Sequence, residues 1–321
     1  MQTTRDPWPR VAVVGAGAVG CYYGGMLARA GCPVTLIGRA AHVEAIERDG
    51  LLLEALSFRE HVPVRAGTRM DAASGAELVL FCVKSTDTDA TARELAPLLA
   101  PGAVVLSLQN GVDNLERLRA HIDGPALAAV VYVAAAMAGP GHVRHTGRGD
   151  LVIGALGRDP GARQAAQPRL AQVAGWFERA AVGCVVSDNV EGELWAKLLI
   201  NCAYNAISAL GRARYRRIGA NPLALGVMKE SVREVIAVAQ AAGVRLPDGD
   251  LLEAAVAISR SMAGATSSTA QDIARGKRTE IEHLNGYVVR RGDELGVPVP
   301  VNRTLHALVR LLEEAEPDEA R

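Results

Sequence analysis

Three polar side chains recur at four-residue intervals within a long apolar segment, residues 191–210: Lys197, Asn201 and Asn205. On an α-helix, residues four apart share one face and rise about 6 Å per step. The rest of the segment is apolar on almost every side, which is typical of a buried helix. Because buried polar groups need partners, the stripe indicates a site for a small polar ligand that bears a carbonyl group. There the ammonium can donate a proton and the amides can orient the ligand. The structural alternative is a solvated edge of the helix.

A glycine-rich turn follows the first apolar segment, where residues 10–20 read R-V-A-V-V-G-A-G-A-V-G before a helical pattern. In a G-x-G-x-x-G turn, Gly15 permits the tight bend, Gly17 lets the backbone approach a pyrophosphate, and Gly20 allows close packing of helix on strand. The N-terminus of the helix then faces the phosphates. We therefore predict a dinucleotide site built from Gly15, Ala16, Gly17, Ala18, Val19 and Gly20.

The second strand, P-V-T-L-I, ends at Gly38-Arg39, where such folds contact the adenosine ribose. An acidic residue there accepts from a 2′-hydroxyl and favours NAD, whereas an arginine matches a 2′-phosphate through charge-assisted hydrogen bonds. Arg39 therefore predicts NADPH/NADP+ as the cofactor; the structural alternative is a surface arginine.

Two further polar residues follow apolar segments of the kind buried in a parallel sheet, at residues 77–83 and 103–108. Open α/β sheets bind ligands at the carboxyl ends of their strands. We expect Lys84 and Asn110 at that edge, close to the cofactor. The alternatives are a solvated lysine and an ordinary Asn-Gly turn.

The pattern of predicted secondary structure changes near residue 188. Before it, strand and helix patterns alternate, with a small hairpin at 51–64, a strand at 127–133, two short strands near 143 and at 151–153, and a loop at 158–168. After it, only helical periodicity remains. The predicted class is α/β, with a Rossmann-type dinucleotide-binding domain over 1–188 and an all-α domain over 189–321 that binds the substrate.

The segment T-S-S-T-A-Q-D-I-A-R-G-K-R-T-E-I carries two more candidates. Ser268 and Gln271 have capping-box spacing, so Ser268 is either a helix N-cap or a ligand contact. Glu280 begins a helix with an apolar face, and its carboxylate either complements the helix dipole or meets Lys197.

Composition limits the classes of partner. The 321 residues include 35 basic and 35 acidic side chains, so no net field favours nucleic acid or a membrane surface. Five scattered cysteines, in mostly apolar surroundings and without C-x-x-C spacing, indicate reduced core thiols, and we predict no metal site. The polar N-terminus lacks a signal-like apolar segment, which favours a cytoplasmic location.

These motifs resemble the ketopantoate reductase family (2-dehydropantoate 2-reductase), and the resemblance spans both halves of the chain. The shared motifs are V-V-G-A-G-A-V-G, the strand-end Arg39, C-V-K at Lys84, Q-N-G at Asn110, L-W-x-K-x-x-x-N-x-x-x-N through Lys197, and S-S-x-x-Q-D-I-x-x-G-x-x-T-E-I through Ser268 and Glu280. The chain departs from some members at Asp87, where others carry glutamine, and at Gln109.

The resemblance implies an NADPH-dependent enzyme that reduces 2-dehydropantoate, a small 2-oxo acid, to pantoate on the route to pantothenate and coenzyme A. It implies that Lys197 is the general acid and that Glu280 works with it at the reacting oxygen. By the same resemblance Asn201, Asn205 and Ser268 hold the substrate's hydroxyl and carboxylate, and Asn110 lies at the nicotinamide and the substrate.

Alternatives remain at this point. No residue reads the dimethyl and hydroxymethyl groups of ketopantoate, so another branched 2-oxo acid fits the same motifs. A 3-hydroxyacid or 6-phosphogluconate type dehydrogenase also joins a Rossmann domain to a helix with Lys and Asn four apart. An NADP(H)-sensing regulatory protein would explain the glycines and Arg39 but not Lys197. The sequence leaves a monomer and a homodimer equally open.

Overall fold

The structure, a computed structural model, describes residues 7–157 and 159–314. The chain divides into two compact units, with the division between Val190 and Glu191. All strands of the described residues lie in the first unit, and residues 191–314 are helical or irregular. The predicted class, a Rossmann-type α/β domain followed by a helical domain, is confirmed.

A ten-stranded mixed sheet forms the first unit. Its strands are β1 (Val11–Val14), β2 (Val34–Ile37), β3 (Leu51–Glu54), β4 (Arg59–Val62), β5 (Arg65–Gly67), β6 (Leu78–Phe81), β7 (Val104–Ser107), β8 (Ala126–Gly139), β9 (His142–Gly154) and β10 (Cys184–Val186). The order is β4-β3-β9-β8-β7-β6-β1-β2-β5, with β10 paired to β9. From β8 to β5 all neighbours are parallel.

The order of this parallel part reverses between β1 and β6. On one side of β1 the chain adds β2 and then, after the β3–β4 hairpin at the opposite edge of the sheet, β5; on the other side it continues through β6, β7 and β8. Strands β1, β6 and β7 are buried along their whole length, as their continuous apolar sequences predict. A crevice at the carboxyl ends of the strands on either side of such a reversal is the usual ligand site of an open α/β sheet.

Five α-helices accompany the sheet within the described part of the first unit. They are α1 (Ala18–Arg29), α2 (Ala40–Asp49), α3 (Thr88–Leu95), α4 (Asn114–Arg119) and α5 (Pro160–Arg179). The predicted hairpin at 51–64 is confirmed, because β3 and β4 pair antiparallel.

The predicted loop at 158–168 is wrong in its described part, which consists of the N-cap Asp159 and the first half of α5. The Asp159 carboxylate caps this helix by accepting from the backbone N–H groups of Gly161 and Ala162. Proline is tolerated in a first helical turn, where its missing N–H is not needed. Residue 158 lies outside the described residues.

The predicted short strands after residue 127 are also wrong in length, since β8 and β9 form one long antiparallel hairpin. Its register shifts between Tyr132 and Val133, opposite Arg148 and Gly149, whose φ values are 52° and 136°. A bulge of this kind interrupts the alternation of polar and apolar residues by which a strand is recognised.

The second unit contains, after α6 (Val190–Leu210), the helices α7 (Tyr215–Ala220), α8 (Pro222–Ala241), α9 (Leu251–Ser261), α10 (Ser268–Ala274), α11 (Asn285–Leu295) and α12 (Pro300–Glu314). A buried polar network joins four of them. The carbonyl oxygen of Cys202 on α6 accepts from Ser231 Oγ at 3.2 Å and from Asn285 Nδ2 at 3.5 Å. Both donors also reach Asn302 Oδ1, and Asn302 Nδ2 donates to Glu234. Because these bonds are directional and buried, they fix which face α6 turns toward α8, α11 and α12.

Candidate functional site

The glycine-rich turn has the backbone geometry that its sequence predicts. Gly15 has a φ of +105°, and a Cβ there would lie 2.8 Å from the carbonyl carbon of Cys82, which follows β6. At Gly20 a Cβ would lie 2.3 Å from the carbonyl oxygen of Gly15. Neither position can hold a larger residue without displacing backbone, so the turn, α1 and the end of β6 are packed directly together.

Gly17 is different, because a Cβ built there would meet no atom within 4 Å. The missing side chain therefore leaves open space, the condition for close approach of a phosphate. Gly17 is the N-cap of α1, no side chain caps the helix among the described residues, and its first turn holds no acidic residue.

The backbone N–H groups around this turn fall into two sets. Those of Gly15 and Ala16 donate to the carbonyl oxygen of Ile37, and that of Gly17 donates to Gly15. Those of Ala18, Val19 and Gly20 have no acceptor among the described residues. Three unsatisfied donors at the positive end of a helix fit an anion such as a pyrophosphate.

Arg39 lies next to this turn. It follows Gly38 at the carboxyl end of β2, and a Cβ on Gly38 would lie 2.6 Å from the Cβ of Ala16. The Arg39 side chain is exposed, and its guanidinium makes no hydrogen bond or ion pair with the described residues. A guanidinium that has no partner among the described residues and lies beside the glycine-rich turn suits a phosphate ligand.

Lys84 and Asn110 lie at the carboxyl ends of the neighbouring strands β6 and β7. Both are partly buried. The carbonyl oxygen of Asn110 accepts from Ser85 Oγ at 2.9 Å and from Asn114 Nδ2 at 2.6 Å. The two loops that carry Lys84 and Asn110 are thus bonded to each other.

The same two loops are joined a second time through Gln109, which is 6% exposed. Its Nε2 donates to the carbonyl oxygen of Val83 at 3.1 Å and to Thr88 Oγ1 at 2.7 Å. Gln109, where the chain departs from some members of the family it resembles, is therefore an internal support of the loops. Sequence analysis missed this network of Ser85, Thr88, Gln109 and Asn114; the available signal was a set of short polar residues directly after two buried strands.

In the second unit, α6 displays the predicted stripe. Lys197 and Asn201 are partly buried and Asn205 is 4% exposed. The Asn201 Nδ2 atom is buried and has no hydrogen-bond partner among the described residues. An unsatisfied buried N–H group costs about 1–3 kcal/mol. The atom is therefore suited to donate to an acceptor on a ligand.

Ser268 is brought to the Asn205 end of this helix by its neighbour Ser267. Ser267 Oγ donates to the carbonyl oxygen of Asn205 at 3.1 Å and accepts from the backbone N–H of Ala270 at 3.0 Å. Ser267, and not Ser268, is therefore the N-cap of α10, and the capping alternative for Ser268 was wrong. The exposed Ser268 side chain, in the first turn of α10, is left available for a ligand.

Glu280 is held beside the same part of α6. The next residue, Ile281, packs in one apolar cluster with Ala206 of α6 and Leu305 of α12. On the other side the backbone N–H of Thr279 donates to the Glu313 carboxylate of α12 at 2.6 Å. The predicted helix at Glu280 begins instead as a single 3-10 turn, Ile281–His283, before α11.

The described residues contain no group of three or more His, Cys, Asp or Glu placed to hold a metal ion. All five cysteines are free thiols. Burial raises the pKa of Cys21 to about 12 and that of Cys184 to about 12, so these thiols stay protonated at neutral pH. In the described part of the chain, no helix combines the length and the apolar character needed to cross a membrane.

Both units are similar to known proteins. The family model for ketopantoate reductase PanE/ApbA matches residues 11–158, and the model for its C-terminal part matches residues 189–313. The chain is 36% identical over 305 residues to a 2-dehydropantoate 2-reductase of Halobacterium salinarum, covering 94% of this chain and 98% of that protein. It is 33% identical over 304 residues to the enzyme of the same name from Pyrococcus horikoshii, covering 95% and 97%. The crystal structure of a PanE/ApbA family ketopantoate reductase from Ralstonia eutropha is 55% identical, with a TM-score of 0.88 and coverage of 95% and 98%.

Proposed function

The chain belongs to the ketopantoate reductase PanE/ApbA family, dinucleotide-binding oxidoreductases, and from this premise we propose that it reduces 2-dehydropantoate to pantoate with NADPH. The reaction adds a hydride to the keto carbon and a proton to its oxygen, and it serves pantothenate and coenzyme A biosynthesis. In this proposal the predicted dinucleotide-binding domain, residues 1–188, binds the cofactor. The predicted helical domain, residues 189–321, binds the 2-oxo acid.

The observation that carries the proposal is the polar stripe on α6. Lys197, Asn201 and Asn205 occupy one face of a helix that is mostly apolar, and Asn201 Nδ2 is buried without a partner among the described residues. An unsatisfied buried N–H group such as Asn201 Nδ2 costs about 1–3 kcal/mol, and an acceptor on a ligand would satisfy it. A hydroxylated 2-oxo acid offers carboxylate, keto and hydroxyl oxygens as acceptors for these donors.

The cofactor site fits the residues present. The open space at Gly17 and the three unsatisfied N–H groups at the start of α1 would hold the pyrophosphate. Arg39 would pair with the 2′-phosphate that distinguishes NADPH from NADH. Lys84 and Asn110, at the ends of β6 and β7, would contact the cofactor farther along the sheet edge, and Asn110 also contacts the substrate. When bound, NADPH supplies the hydride.

The chain's own residues supply the proton and the orientation. Negative charge builds on the keto oxygen as the carbon is reduced, and the Lys197 ammonium would stabilise that charge and then donate its proton. Glu280 would work with Lys197 at that oxygen. Asn201, Asn205 and Ser268 would hold the substrate's carboxylate and hydroxyl groups, so that only one face of the ketone is presented.

The test is the loss of NADPH absorbance when purified protein is mixed with ketopantoate. Parallel reactions contain NADH in place of NADPH, or other branched 2-oxo acids in place of ketopantoate. Rapid oxidation of NADPH with ketopantoate supports the proposal in full. Oxidation with a different 2-oxo acid only would retain the chemistry and replace the substrate. NADPH binding without turnover of any 2-oxo acid would contradict it and favour a sensor.

A further inference from the structure

Asn114 is an amide with almost no contact with solvent. It is the first residue of α4 and is 3% exposed. Its Nδ2 donates to the carbonyl oxygen of Asn110 at 2.6 Å and to Ser85 Oγ at 3.1 Å, and its Oδ1 accepts from Thr88 Oγ1 at 3.0 Å. One side chain therefore bonds to the loop after β7 and, twice, to the loop after β6.

These bonds belong to a closed hydrogen-bond network, called the circuit below, which joins the side chains of Ser85, Thr88, Gln109 and Asn114 to the Asn110 carbonyl oxygen. Ser85 Oγ donates to the same Asn110 carbonyl oxygen at 2.9 Å, and Thr88 Oγ1 also accepts from Gln109 Nε2 at 2.7 Å. Each hydroxyl donates once and accepts once, and all four polar side chains are 6% exposed or less. Fully satisfied buried networks are rigid, because breaking any one bond leaves a polar group without a partner.

The circuit holds the peptide group between Asn110 and Gly111 in one orientation. Its carbonyl oxygen accepts from two side chains that stand on different elements, which fixes the plane of the peptide that links it to Gly111. Gly111, with a φ of 98°, then turns the chain away from the sheet. The direction of the Asn110 side chain is set by this backbone, since rotation of the peptide would break both bonds.

We infer that Asn114 is a positioning residue that holds Asn110 in the orientation needed at the nicotinamide and the keto acid. The inference rests on the proposed function, in which Asn110 contacts both. A displacement of about 1 Å at a reacting group can lower turnover by about 10²-fold.

The test compares two changes within the same network. Asn114→Asp keeps the shape and the acceptor toward Thr88 but replaces the donor to Asn110 with an oxygen. Ser107→Ala removes a hydroxyl whose side-chain bond goes to Gln109 Oε1, at the far side of the circuit. Asn114→Asp should lower kcat by about 10²-fold with little change in NADPH affinity, and Ser107→Ala, which leaves both donors to the Asn110 carbonyl oxygen in place, should lower kcat by much less. Equal effects of the two on kcat would overturn the inference.

A double-mutant cycle separates positioning from general destabilisation. In an Asn110→Ala background the side chain that Asn114 positions is gone, although the backbone carbonyl remains. Asn114→Asp should then reduce kcat by much less than it does in the wild-type chain. An undiminished loss in that background would show that Asn114 does not act through Asn110.

Backbone amide exchange provides a readout that does not require turnover. Exchange across residues 110–113 should become much faster in Asn114→Asp and change much less in Ser107→Ala. If Asn114→Asp does not fold, Ser85→Ala, which removes one of the two donors to Asn110, should accelerate the same exchange to a smaller extent. Unchanged exchange would refute the positioning role. A wild-type protein that turns over no 2-oxo acid would instead refute the proposed function, whatever the exchange result.

Discussion

The Ser267 hydroxyl donates to the carbonyl oxygen of Asn205 at 3.1 Å, so the residue that caps α10 is also the residue that ties α10 to α6. The backbone N–H of Ser267 adds a bond to Ser208 Oγ at 3.3 Å. Both bonds are buried, and they set the place of Ser268 relative to Asn205.

Ser267→Ala removes both the N-cap of α10 and the hydrogen bond from Ser267 to the Asn205 carbonyl oxygen of α6. We expect the free energy of unfolding to fall by about 1–2 kcal/mol and the KM for the 2-oxo acid to rise, because the start of α10 is released. Urea unfolding and steady-state kinetics measure the two effects. Ser261→Ala, at an exposed serine near the end of α9, is the control and should change neither. An unchanged KM in Ser267→Ala would argue against a contact between Ser268 and the substrate.

Lys197→Ala should lower kcat by about 10²–10⁴-fold if the ammonium donates the proton. NADPH affinity should change little, because the residues proposed for the cofactor lie in the first unit. Stopped-flow turnover and fluorescence titration with NADPH give the two quantities. Lys229→Ala, on α8, is the matched control. Turnover close to that of the wild type would remove Lys197 from the chemistry.

Substitution of Gly17 and of Gly20 by alanine should have opposite effects on stability and on NADPH binding. A methyl group at Gly17 enters open space, so Gly17→Ala should cost less than about 1 kcal/mol of stability yet weaken NADPH binding strongly by occupying the phosphate position. Gly20→Ala brings a methyl group against the Gly15 carbonyl, and overpacking of this kind costs about 1–3 kcal/mol. Thermal unfolding with and without NADPH distinguishes them. If Gly17→Ala bound NADPH normally, the pyrophosphate would have to lie elsewhere.

Arg39→Ala tests cofactor choice. Charge-assisted hydrogen bonds contribute about 1.5–3 kcal/mol, so the Kd for NADPH should rise by about 10- to 100-fold while that for NADH stays nearly constant. Arg48→Ala, at an exposed arginine at the far end of α2, is the control for loss of surface charge. Equal weakening of both cofactors would argue against a contact with the 2′-phosphate.

Alkaline pH should destabilise the fold through its buried thiols. Burial raises the pKa of Cys21 from 9.0 to about 12, so the folded chain holds this proton more tightly than the unfolded chain does. The stabilising contribution is therefore complete below pH about 9 and is lost progressively as the pH rises toward 12, at about 1.4 kcal/mol per pH unit for each such thiol. Urea unfolding between pH 8 and 10.5 measures the slope. Cys21→Ala should have a shallower slope, and identical slopes would exclude this linkage.

The local geometry of the candidate site was predictable where its sequence signals are local. The spacing of Lys197, Asn201 and Asn205 specifies a helical stripe wherever the helix lies. The three glycines specify a turn whose geometry depends on residues a few positions apart. Errors arose where a local pattern was ambiguous, as at α5, where proline and glycine open a helix and do not form a loop, and at the β8–β9 bulge.

The sequence by itself determined the two-part organisation, the glycine-rich turn and the polar face of α6, since each follows from periodicity and short-range sterics. Only the tertiary structure decided which polar residues meet across long intervals of chain. Parallel pairing of β6 and β7 brings Asn114 to Ser85, and packing of α10 on α6 brings Ser267 to Asn205. No local pattern encodes these pairs, because the register of neighbouring strands and helices is set by the burial of the whole apolar core.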